Sequence, residues 1–171
     1  NRNCDLTLAD YSFSRNKSDY FSEEELDKIT FLTNNFAEFS AYDDLDTDFD
    51  NVYMLASVVG VNEVIENPQM VLDVNTSLIF NCLNWLKTTD IKKVLFTSTS
   101  EAYSGAFKNT DYPIPTDELV PLVVNDIHDP RFTYAITKIL GESAFLHYST
   151  KYNFEATIVR YHNTIGPDMG F

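Results

Sequence analysis

The chain has 171 residues, 44% of them hydrophobic and 14% aromatic, the size and apolar content of a single globular domain. Its apolar runs fall far short of the ~20 residues that a membrane-spanning helix needs, and no charged-then-apolar leader opens it. With 26 acidic against 12 basic residues the formal charge is −14, which repels nucleic acid and anionic membrane and makes both poor partners.

In chain order, Cys4 to Ala9 alternates as a strand does and ends at Asp10. The acidic clusters Glu23-Glu24-Glu25 with Asp27, and Asp43-Asp44 through Asp50, are expected on solvated surface. Ile29 to Thr33 and Val52 to Ala56 are the next two strand candidates. Pro68 to Lys87 is a predicted helix: Asn67 stands as its cap and proline suits its first turn. Along it Val71, Val74, Leu78, Cys82 and Trp85 or Leu86 recur at helical spacing. Val94 to Thr97 is a fourth strand. The stretch from Ser104 to Asp129, with Pro113, Pro115 and Pro121, is the one long irregular segment, of the kind that often lines a site. Pro130 opens a further helix through Tyr134 and Lys138 to about Tyr152, and Ala156 to Arg160 is the last strand. Strands separated by helices predict a doubly wound α/β fold, with a parallel sheet covered on both faces. Cys4 and Cys82 have neither a paired spacing nor a metal pattern, which fits a reducing compartment. His128, His147 and His162 are scattered, so no metal site is expected.

In an open parallel sheet, ligands bind beyond the carboxyl ends of the strands. The candidates there are Asp10, Ala56-Ser57, Thr97 to Glu101, and Tyr161 to Asn163. Tyr134 and Lys138, four apart, share one helix face beside those ends. A lysine ammonium near a phenol favours the ionised form and lowers its pKa from about 10. A tyrosine so tuned exchanges a proton with a sugar or alcohol hydroxyl. Asp10 is placed to accept from both ribose hydroxyls of an adenosine and to repel a 2′-phosphate, which favours NAD over NADP; it is equally a turn aspartate holding its own loop. The hydroxyls after the fourth strand either share a bond with substrate and Tyr134 or cap the next turn. Asn75 belongs to a proton relay or to the solvated face of its helix. Asn163, before Gly166-Pro167, donates to a substrate phosphate or shapes a turn.

Taken together, Leu6 to Asp10, Val52 to Ser57, Val94 to Tyr103, Tyr134-Ala-Ile-Thr-Lys138 and Val159 to Asn163 with Gly166-Pro167 resemble the extended short-chain dehydrogenase/reductases. Within them the chain is similar to the NAD-dependent nucleotide-sugar epimerases, dehydratases and decarboxylases. The resemblance implies a Rossmann-like fold and NAD, with hydride abstraction to a keto-sugar and return of the hydride. It makes Tyr134 the proton-exchanging group, Lys138 the residue that binds the nicotinamide ribose, and Thr99 the hydroxyl of the triad. Asn75 becomes the relay asparagine, Leu55, Ala56 and Ser57 line the cofactor, and Asn163 contacts the diphosphate of a UDP- or dTDP-sugar. Ser100 and Glu101 occupy positions where some members carry extra acid/base groups. Ser100 is not the aspartate of the 4,6-dehydratases, which leaves an epimerase first and a decarboxylase next. A cytoplasmic homodimer is implied as well.

The family opens with a strand and a Gly-x-x-Gly-x-x-Gly turn that cradles pyrophosphate, and neither stands in these 171 residues. Asn34-Asn35 takes the place of an aspartate near the adenine, Ser104 interrupts a Tyr-Gly pair, and Ser57 replaces a common alanine. The expectation is a partial NAD-binding domain over 1–171, without its central first strand and without the substrate domain. The second and fourth strands of the family then lose their shared partner. Two other functions are compatible with the residues: a non-catalytic binding or scaffold subunit that lost the phosphate turn, and an unrelated doubly wound signalling domain whose acidic residues take magnesium.

Overall fold

The structure, a computed structural model, describes residues 4–13, 17–109 and 111–164. Five strands are present: β1 (Leu6–Asp10), β2 (Ile29–Thr33), β3 (Asn51–Met54), β4 (Lys93–Thr99) and β5 (Glu155–Tyr161). The helices are α1 (Glu23–Leu26), α2 (Val61–Glu66), α3 (Pro68–Leu86), α4 (Ser104–Asn109) and α5 (Thr133–Tyr152). All pairings among the described strands are parallel, which requires a crossover connection between partners. They form two ladders, β1-β2 and β3-β4-β5, with no hydrogen bonds between β1 and β3. The split falls at the place where the resemblance puts an intervening strand.

The core lies between the three-stranded sheet and the pair α3–α5. Val94 and Phe96 of β4 point into it, beside Leu78, Ile79, Cys82 and Leu83 of α3 and Phe145 of α5. Phe96 stacks on Phe145 with ring centres 4.7 Å apart. Side chains alternate along a strand, so Tyr53 and Leu55 face the other way, and they are 63% and 59% exposed. The parallel strands and intervening helices make the mixed α/β, Rossmann-like fold that their alternation predicts. None of these helices is long and apolar enough to cross a membrane.

Several local details differ from the periodicity. Asn67 precedes Pro68, but its side chain makes no capping bond; its amide instead donates to Glu63 Oε1 at 2.9 Å. The reason is α2, a six-residue helix directly upstream that claims the asparagine for its own end. The long segment after β4 is irregular only from 111 onward, since residues 104–109 are helical. β4 runs two residues past Thr97, so Ser98 and Thr99 are strand residues. The acidic run at 23–25 is an exposed helical turn that Ser22 and Glu25 close with a reciprocal capping box.

Candidate active site

Three elements meet where β4 ends. The strand leads into a 3-10 turn at Ser100–Tyr103, and α5 packs against both the strand and that turn. This brings together Thr99, Ser100 and Glu101 from the strand end with Tyr134 and Lys138 from the first turns of α5. Thr99 is buried, Ser100, Glu101 and Tyr134 are half-buried, and Lys138 is 3% exposed.

Lys138 carries its ammonium 5.5 Å from the centre of the Tyr134 ring and 5.0 Å from that of Phe96. Burial lowers its pKa to about 8, because an ammonium stripped of water is disfavoured. Tyr134 does not behave as the four-residue spacing alone suggests. Its phenol pKa is raised, by burial first and by the nearby Glu101 carboxylate second. The lysine sits over the ring rather than at the hydroxyl, so desolvation outweighs any stabilisation of the phenolate. As folded here, Tyr134 is a protonated donor with a carboxylate beside it.

Of the two readings of Thr99, the turn-capping one is observed. Its Oγ1 accepts from Glu101 N at 3.2 Å and caps the turn, while its own proton remains available for donation. Asn75 is 2% exposed and accounts for its amide in full. Its Oδ1 accepts from Val58 N at 2.7 Å, and Nδ2 donates to Val58 O and to Thr137 Oγ1, each at 3.3 Å. It therefore ties the loop after β3 to α5 instead of lying on a solvated face. Thr137 continues the chain by donating to Tyr134 O at 2.7 Å.

The remaining candidates line the strand ends. Asp10 closes β1, is exposed, and accepts from Ser12 N at 3.2 Å, so it holds its own turn. Leu55 and Ala56 lie just past β3 and are exposed, with Ser57 half-buried. Asn163 is exposed after β5, and Gly166-Pro167 lie outside the described residues. Asn34 donates to Asp44 at 3.1 Å. The set fits the adenosine and nicotinamide ends of a dinucleotide: an exposed carboxylate, an open apolar strand end and a buried cation beside a phenol. Two features went unread in the sequence. Tyr103 and His162 meet at 2.9 Å across the strand ends, and Glu142 forms a buried ion pair with Arg160. Glu142 was legible as a charge four residues past Lys138 on the same helix face.

Residues 9–171 match the model of the NAD dependent epimerase/dehydratase family. The chain is 31% identical over 162 residues to a UDP-N-acetyl-alpha-D-glucosaminuronate decarboxylase of Bacillus cytotoxicus, covering 95% of this chain and 47% of that protein. It is 29% identical over 166 residues to Protein CapI of Staphylococcus aureus, covering 94% of this chain and 46% of that one. A UDP-galactose 4-epimerase crystal structure superposes with a TM-score of 0.77 at 22% identity, over 98% of this chain and 50% of that one. The chain thus spans about half the length of the relatives it matches. On the family match and the fold together, the chain belongs to the NAD-dependent epimerase/dehydratase family, a family of enzymes.

Proposed function

We propose that the protein carrying this chain interconverts UDP- or dTDP-linked sugars through a transient keto-sugar, with epimerisation as the default outcome. One observation supports it: where β4 ends beside α5, the Lys138 ammonium lies 5.5 Å from the centre of the Tyr134 ring, Glu101 acts on the same phenol, and Thr99 bonds the Glu101 backbone. Asp10, Leu55, Ala56, Ser57, Tyr134 and Lys138 would hold NAD, which would supply the hydride acceptor when bound. Tyr134, protonated in the chain as folded, would first give up its proton. As phenolate it takes that of the sugar hydroxyl and returns it when the hydride comes back, while Thr99 orients that hydroxyl by donating to it. Asn163 and Ser100 hold the nucleotide diphosphate and the sugar. Glu101, beside Tyr134, is the group that separates the reaction classes. Inversion needs hydride transfer and one proton, whereas loss of carbon dioxide or water needs a further acid/base near the distal carbons.

The test incubates the full-length protein with NAD and a panel of UDP- and dTDP-sugars and identifies products by NMR. Tyr134→Phe should lower kcat by about 10²–10⁴, the range for a removed acid/base group, with NAD affinity nearly unchanged. Glu101→Gln should leave inversion intact in an epimerase and abolish product in a decarboxylase. Near-normal turnover by Tyr134→Phe would make the phenol a packing residue and sink the proposal.

A further inference from the structure

Two turns past Tyr134 and one past Lys138, on the same face of α5, stands a buried carboxylate that the chemistry above leaves unused. Glu142 is 3% exposed. Ser98 Oγ donates to its Oε1 at 2.5 Å. Arg160 grips it as a fork, Nε donating to Oε1 at 2.9 Å and Nη2 to Oε2 at 2.7 Å. The remaining guanidinium nitrogen, Nη1, donates to Glu118 O at 3.0 Å, which ties down the long loop. Ser98 and Arg160 are ladder partners, one step before the pair Thr99 and Tyr161. The carboxylate is thus held by two neighbouring strands at the level just below the candidate site.

Elsewhere along the seam between α5 and β4 the Lys138 ammonium lies over the Phe96 ring, and Phe96 makes apolar contact with Phe145 and Gly141. Apolar contact is non-directional and tolerates sliding or rotation of a helix. A bidentate arginine–carboxylate contact does not, because it defines distance and angle together. We infer that Glu142, Arg160 and Ser98 form a register clamp that sets where α5 stands against β4, and hence where Tyr134 and Lys138 stand relative to Thr99. All three are positioning residues. The catalytic consequence rests on the function proposed above; the clamp itself does not.

A buried ion pair can be replaced by apolar residues of similar volume with little loss of stability, whereas removing one partner strands the other. That difference separates positioning from mere stabilisation. The experiment compares full-length protein with the double variant Glu142→Met/Arg160→Met and with Arg160→Lys, which replaces the fork by a point charge. It measures thermal unfolding, kcat and KM on a UDP-sugar, and the titration of Tyr134 by NMR of labelled tyrosine, assigned with Tyr134→Phe. Tyr134 faces Glu101 from the turn after β4 and Lys138 from its own helix, and both stay in place in these variants. The double variant should unfold near the native temperature yet lose about 10²-fold in kcat, the scale of an ångström of misplacement, with KM little changed. Its Tyr134 titration should move down, toward that of a solvated phenol. Native stability with native kcat and an unmoved titration would overturn the clamp. Should the double variant not fold, Arg160→Lys decides: it keeps the charge but loses the fork, and native kcat with native titration would overturn the inference equally. If the unmutated protein turns over no nucleotide sugar, the proposed function fails while the Tyr134 titration still decides the clamp.

Discussion

Lys138 is an ion held out of water, and its protonation should be visible in the stability of the protein. Its pKa falls from an ordinary 10.5 to about 8 because burial penalises the cation, and the faces of Phe96 and Tyr134 offset that only in part. The sign follows from linkage. Below about pH 8 both folded and unfolded chains hold the proton, and the full penalty of the buried charge is present. Between about 8 and 10.5 the unfolded chain holds a proton that the folded one has lost, so this group's destabilisation is relieved as pH rises. Lys138→Met should therefore stabilise the protein at neutral pH by something on the order of 3 kcal/mol. The gain should shrink to nothing as pH climbs through 10.5, measured as the difference between the two proteins in urea denaturation. A gain that ignores pH would mean that Lys138 is solvated. At the other end of the site, Asp10→Ala should weaken NAD binding and relax discrimination against NADP, measured by titration calorimetry. Equal affinities of the unmutated protein for both cofactors would refute the ribose role.

The helix α5 can lie as close to β4 as it does because residue 141 has no side chain. A Cβ built there would collide with the Phe96 ring and crowd Ile79 Cδ1 at 3.1 Å. In an exposed helix interior Gly→Ala stabilises by about 1 kcal/mol. Here overpacking, typically about 1–3 kcal/mol, opposes that gain and should win. Gly141→Ala is expected to be destabilising in chemical denaturation, and adding Phe96→Leu should recover much of the loss. A stabilised single variant would show that helix and strand are not in contact at this level. The long helix α3 was legible for a physical reason: apolar residues such as Val71, Leu78, Cys82 and Trp85 recur at the helix period along it. The short ones, α2 and α4, span fewer than two turns, too few for a period to declare itself, and depend on what they pack against.

At the level of the whole molecule, the two cysteines report on the integrity of the core. Cys4 is exposed, while Cys82 is buried beside the Tyr42 hydroxyl with its thiol pushed up to about 12 by burial. A disulfide reagent near neutral pH should modify Cys4 at once and Cys82 only when the core opens, at a rate set by that opening. Rapid reaction of both thiols would mean that the packing of α3, through Trp85, against Tyr42 and Phe49 is loose. The charge of −14 acts at this scale too, since self-repulsion destabilises the compact state and added salt screens it.

By itself the sequence determined the parallel α/β architecture, the order of strands and helices, and the convergence of Thr99, Glu101, Tyr134 and Lys138 at the strand ends. Those properties follow from local periodicity and from the rule that parallel strands present their carboxyl ends together. Tertiary structure alone decided the protonation of that site. Helical spacing says which side chains share a face, but not how much water is left around them, and desolvation raised the Tyr134 phenol where proximity to a lysine predicts a lowering. It also decided the partners of Asn75 and Glu142, residues 62 and 44 positions from the Thr137 and Ser98 they bond. Bonds across such separations exist only once α3 and α5 have packed, because no local pattern encodes which buried polar group will find which.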